Sequence, residues 1–295
     1  MPASPSVMTT RRGEFRRLYR ELRRRPALFA RTPVLFCEGD SWFSTPLAMN
    51  LLDWLVYPTP EDEARGVPLA GAGGLFFRAE DSGDLATGMF APRALADLAG
   101  WYGAFEFDLV LVSAGGNDFV GAFLARLFAR AQPTTPEAAL ARVEASGRFE
   151  QVRAAYARMI ARFRALRPGT PILAHSYDYP QRLGVPARLT VENVGLAALL
   201  QDRLGPWIAQ PMARALPQPQ AQRRFAALLI DAFVERVLEP LRREHAGFHY
   251  ADLRGTLASP GLWFDEMHPT GAGFHALAAK LRPAIRRLLP EQKRG

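Results

Sequence analysis

Three short stretches of this chain carry residue types that can move protons and acyl groups. Glu38-Gly39-Asp40-Ser41-Trp42 sets a serine on a glycine turn. Ser113-Ala114-Gly115-Gly116-Asn117-Asp118 sets a neutral amide beside paired glycines, and Phe264-Asp265-Glu266-Met267-His268-Pro269 sets a carboxylate three residues before an imidazole. A serine hydroxyl becomes a nucleophile when an imidazole takes its proton, and a carboxylate on the far ring nitrogen fixes the tautomer and stabilises the imidazolium. The charge then developing on a carbonyl oxygen needs uncharged donors, which an asparagine amide and backbone N–H groups supply. Singly, each stretch has an ordinary structural explanation: a capped turn, a glycine turn with Asn117 or Asp118 as N-cap, and a helix-entrance cap. The chemical explanation gains weight only if the fold brings all three to one edge.

The apolar pattern supplies elements that would do so. Residues 33–38, 75–79, 107–113, 171–175 and 248–253 are short apolar runs bounded by Gly, Pro or Asp, which predicts five strands. Helical periodicity predicts helices over 47–56, 87–100, 119–131, 136–166 and 221–244, with another from about Gly271. Alternating strands and helices predict an α/β fold, a three-layer α/β/α sandwich around a mostly parallel sheet of about five strands. Such sheets place function in the loops at the carboxyl ends of their strands. The three stretches follow the first, third and fifth candidate strands. Gly39 permits the turn, and a helix opening at Ser41 would favour the negative charge of an attacked carbonyl.

At this point the sequence resembles the SGNH or GDSL hydrolase superfamily, whose usual blocks are a Gly-Asp-Ser turn, a glycine after the second strand, a Gly-x-Asn-Asp loop and a terminal Asp-x-x-His. The resemblance spans residues 33–290 in the expected order and implies a flavodoxin-like α/β/α fold. It implies Ser41 as nucleophile, His268 as general base and then acid, Asp265 as orienting carboxylate, and Asn117 as an oxyanion donor beside the Ser41 N–H. The second-block glycine is assigned to Gly83 in Asp81-Ser82-Gly83-Asp84, with Gly73 or Gly74 taking the role if the second strand lies elsewhere. Trp42 stands where the family's name has leucine. Trp42, His175 and Tyr177 are pocket candidates, His175 being equally readable as a satisfied core histidine. The implied activity is cleavage of carboxylic esters through an acyl-enzyme, without metal or organic cofactor. A thioesterase, lysophospholipase, sugar O-acetyl esterase or acyltransferase would use the same residues, and a non-catalytic binding protein could share the scaffold.

Composition bounds the rest. The chain has 295 residues, 48% hydrophobic and 22% charged, as in an ordinary globular protein. One cysteine, Cys37, excludes an internal disulfide framework. The net charge of +8 is concentrated in residues 1–31, which hold nine arginines against Glu14 and Glu21. That segment is expected to be a basic arm with a helix over 12–30, its apolar side carrying Phe15, Leu18, Tyr19 and Leu22. Residues 32–290 are expected to form the hydrolase-like domain, with a proline-rich insertion at 177–222 acting as lid, pocket wall or oligomer contact. A near-neutral body argues against nucleic acid. Expected partners are a small-molecule or lipid-like ester and, through the basic arm, a membrane surface; the oligomeric state is undetermined. No signal-peptide pattern or transmembrane run is evident, which gives a cytoplasmic expectation.

Overall fold

The computed structural model describes residues 7–9, 12–45, 48–56, 74–186 and 205–294. Its sheet comprises β1 (Val7–Thr9), β2 (Val34–Gly39), β3 (Leu75–Arg78), β4 (Leu109–Ser113), β5 (Ile172–His175) and β6 (Phe248–Ala251). All pairings are parallel and the order across the sheet is β1-β3-β2-β4-β5-β6. β2 and β4 are buried along their whole length, which is why Val-Leu-Phe-Cys and Leu-Val-Leu-Val read as unbroken apolar runs rather than alternating ones.

The helices labelled here are α1 (Arg12–Arg23), α2 (Ser41–Ser44), α3 (Leu51–Val56), α4 (Pro92–Ala104), α5 (Ala122–Phe128), α6 (Pro136–Ala145), α7 (Arg148–Leu166), α8 (Pro219–Phe233), α9 (Glu239–Glu244) and α10 (Gly271–Leu288). One layer packs α4 and α7 against the sheet, where Phe36 of β2 meets Tyr102 and Phe163 edge-on. In the other layer α10 packs against α3. The helix predicted as one piece over 136–166 is two: Gly147 adopts φ +71, a conformation costly for any other residue, and turns the chain between α6 and α7. The predicted 221–244 helix continues as one run from α8 to α9. It widens to a π turn over Val234–Leu238, two residues before Pro240, which has no N–H to continue the ordinary ladder.

The N-terminal residues add a sixth strand to the five expected. β1 pairs with β3 at the sheet's border, and α1 follows with Phe15 and Tyr19 buried. Phe15 packs against Phe77, Phe105 and Phe107, and the Tyr19 hydroxyl accepts the Glu106 N–H at 3.0 Å. Glu106 and Phe107 precede β4, so α1 is anchored near the sheet's amino edge with its arginines outward.

Candidate active site

The chain enters β2 and crosses to β3 on one side, then passes to β4 and β5 on the other. The crevice between the ends of β2 and β4 is therefore the topological switch point of the sheet. Gly39, the last residue of β2, pairs with Ser113, the last of β4. A Cβ at Gly39 would lie 2.6 Å from the Ser113 carbonyl oxygen, so this approach requires glycine. Asp40 then caps α2. One of its carboxylate oxygens accepts the Trp42 N–H at 3.0 Å and the Ser113 hydroxyl at 2.8 Å, and the other accepts the Tyr177 hydroxyl. Burial pushes the Asp40 carboxyl up to about 6, against the pull of those donors. Ser41 opens α2, where the first N–H groups have no partner within the helix.

Ser41 meets residues more than 220 positions away. Its Oγ lies 2.9 Å from His268 Nε2, and His268 Nδ1 lies 2.8 Å from Asp265 Oδ2. Asp265 is fully buried, and its Oδ1 accepts the N–H groups of Met267 and His268, each at 2.7 Å. A carboxylate only accepts, so Nδ1 carries the hydrogen and Nε2 is the acceptor facing the serine hydroxyl. The Trp42 indole N–H donates to the Met267 carbonyl at 3.1 Å, tying α2 to this loop.

The remaining predicted donors lie on loops cross-tied at the same edge. The Asp81 N–H donates to the Gly39 carbonyl at 3.0 Å, and Gly83 follows in a turn with φ +91. Asn117 Nδ2 donates one hydrogen to the Asp84 carbonyl at 3.0 Å, leaving its second for a ligand. Asp118 fastens the two loops by accepting the Ala86 N–H at 2.7 Å and the Thr87 hydroxyl at 2.6 Å. Gly74 precedes β3 at the opposite, amino edge of the sheet, 3.6 Å from the Pro33 carbonyl if given a Cβ, so it cannot join this group. Gly73 lies outside the described residues.

Next to Trp42 and Met267, the chain neighbours of Ser41 and His268, is a half-enclosed cavity of about 490 Å³ with its open solvent included, walled also by Tyr177, Leu229, Phe233 and Trp263. Two of the three pocket candidates line it; His175 does not. It is buried at the end of β5, stacks on Trp42 at 5.6 Å and bonds the Ser176 carbonyl through Nδ1 at 2.9 Å. Burial pushes this imidazole down to about 4, so at neutral pH it is an uncharged packing group.

Two contributors to the site carry no signal recognised in the sequence. Glu266 is fully buried, and its carboxylate accepts backbone N–H groups from Gly184 at 3.0 Å, Ala209 at 3.2 Å and Ile208. It thereby holds both described ends of the 177–222 segment against the Asp265–His268 loop. Trp207, at one of those ends, sets its ring edge-on to His268 at 5.5 Å. A charged residue within the apolar Trp-Phe-Asp-Glu-Met run could have marked Glu266; nothing local marks Trp207.

Comparison with protein families matches residues 79–276, about two-thirds of the chain, to the GDSL-like Lipase/Acylhydrolase family. The chain belongs to that family. It is therefore a hydrolase acting on esters. Among solved structures it is similar to a lipase from a goat rumen metagenome, with 12% identity over 86% of this chain and 97% of the other and a TM-score of 0.52. It also matches an extracellular lipase from Streptomyces rimosus, with 18% identity over 86% and 100% of the two chains and a TM-score of 0.49. A family 3 carbohydrate esterase from Clostridium thermocellum shares 11% identity over 88% and 100%, again with a TM-score of 0.49. Comparison with curated proteins gives no match. In this GDSL-family chain the matched span opens after the Gly39-Asp40-Ser41 turn, so Ser41 is tied to the site by its contact with His268 rather than by the family match. Among the described residues no helix is long and apolar enough to cross a membrane.

Proposed function

We propose that this GDSL-family hydrolase cleaves carboxylic esters through an acyl-enzyme formed on Ser41. The reading rests on one observation: the continuous hydrogen-bonded line Asp265–His268–Ser41, with 2.8 Å and 2.9 Å links, whose chain neighbours Trp42 and Met267 line an apolar cavity. Ser41 Oγ attacks the ester carbonyl carbon as His268 Nε2 takes its proton. Asp265 holds the Nδ1–H and stabilises the imidazolium. The carbonyl oxygen, now an alkoxide, is met by the Ser41 N–H, the Gly83 N–H and the Asn117 amide. Collapse expels the alcohol, protonated by His268. Water, deprotonated in turn by His268, attacks the acyl carbon and releases the acid and the free serine. The described parts of 177–222 serve in this scheme as a pocket wall through Tyr177, Pro180 and Ile208, with Glu266 as their anchor.

The test is turnover of a p-nitrophenyl ester panel by wild type and Ser41→Ala. Loss of activity on the order of a thousandfold or more with the fold retained is expected; a Ser41→Ala protein that keeps its turnover would refute the mechanism.

A further inference from the structure

The walls of the cavity beside Ser41 contain several polar groups, yet each is turned away and engaged by the protein itself. The Trp42 indole donates to the Met267 carbonyl and the Trp263 indole to the Leu257 carbonyl at 3.2 Å. The Tyr177 hydroxyl donates to Asp40. Two acids reach the wall, Asp178 and Glu266. Asp178 spends its carboxylate on the N–H groups of Tyr179, Gly255 and Leu257, at 2.7, 2.6 and 2.6 Å, and Glu266 spends its own on Gly184, Ile208 and Ala209. A sugar or other hydroxyl-rich group entering there would lose its hydrogen bonds to water and meet aromatic and aliphatic carbon in exchange, a costly trade. An alkyl or aryl group would gain with every carbon buried.

The cavity is recessed, and this assigns it to one side of the ester. The alcohol must depart before water can enter to deacylate Ser41, whereas the acyl group stays covalently attached through both steps. A recess lined by Trp42, Gly116 and Met267, the chain neighbours of Ser41, Asn117 and His268, suits the part that stays. Resting on the acyl-enzyme reading above, we infer that the preferred substrates carry an apolar acyl group of medium length, seated among Trp42, Tyr177, Leu229, Phe233 and Trp263, and that acetyl esters are poor substrates. Ile230, half-buried on α8, lines the same space.

The experiment measures kcat/KM for p-nitrophenyl acetate, butyrate, hexanoate and octanoate, so that only the acyl chain varies, with wild type and Ile230→Trp. Each methylene buried in the cavity is expected to raise kcat/KM by about fourfold, and hexanoate to exceed acetate by on the order of a hundredfold. Ile230→Trp should cut the hexanoate-to-acetate ratio at least about tenfold. Because a bulky substitution can spoil folding, wild-type inactivation by methyl- and hexylphosphonate p-nitrophenyl esters gives a second readout, with the hexyl reagent expected to be faster. Ser41-dependent turnover that is highest on acetate, or that responds to the length of the alcohol and not of the acyl chain, would overturn this inference and leave the mechanism standing. Failure to cleave any ester or to react with either phosphonate would remove the mechanism, and this inference with it.

Discussion

The Trp42 indole nitrogen lies 3.1 Å from the Met267 carbonyl oxygen, so the residue after the candidate nucleophile holds the residue before the candidate base. Ser41 and His268 sit on loops from opposite ends of the chain, and this bond braces the 2.9 Å contact between them. Trp42→Phe keeps an aromatic ring and removes the donor, leaving a half-buried carbonyl without this partner. The expected cost is about 1 kcal/mol in stability. A several-fold fall in kcat with little change in KM should accompany it, read by steady-state kinetics and thermal melting; unchanged kcat would show that the brace is dispensable.

Asn117 donates one amide hydrogen to Asp84 and keeps the other for a ligand. Asn117→Ala should lower kcat on the order of a hundredfold or more while the protein still folds. Asn117→Asp, which puts negative charge beside an oxyanion, should be at least as damaging. Ester kinetics with circular dichroism checks both, and near-normal turnover in either variant would take Asn117 out of the reaction.

Glu266 anchors the described ends of residues 177–222 by accepting three backbone N–H groups. Glu266→Gln replaces one acceptor oxygen with an amide donor facing an N–H. A lower melting temperature and a several-fold rise in KM are expected, because Ile208 of the cavity wall and Trp207 beside His268 hang from this anchor. Unchanged melting temperature and KM in the variant would contradict the anchoring role.

Glu80 titrates far from its ordinary range because burial pushes its carboxyl up to about 7, against the pull of Arg78. The folded state therefore binds this proton more tightly than the unfolded chain. Its stabilising contribution is complete below the unfolded value of about 4.3 and is lost as pH rises towards about 7. Wild type should lose more melting temperature between about pH 5 and pH 8 than Glu80→Gln, which cannot ionise. Parallel Tm-against-pH curves for the two proteins would show that Glu80 is not a source of the slope.

Much of the fold is legible locally because a parallel sheet buried on both faces leaves unbroken apolar runs, as in Val34–Gly39 and Leu109–Ser113. The three residues of β1 are too few to form a pattern, and β1 exists through its pairing with β3. Gly147 interrupts a helix whose periodicity continues across it. At the candidate site, Ser41, Asn117, Asp265 and His268 stand out in the sequence because groups able to move a proton or donate to an oxyanion follow three of the apolar runs. His175 was not placed by type alone, since its position under Trp42 depends on how α2 packs against β5. Glu266 and Trp207 act through contacts between distant segments, which no local spacing encodes.

The most direct test of the account is intact-protein and peptide mass spectrometry after treatment with a fluorophosphonate. One adduct per chain, mapped to Ser41, absent in Ser41→Ala and formed far more slowly in His268→Ala, is the predicted result. An unmodified wild-type protein, or an adduct on another residue that persists in Ser41→Ala, would contradict it.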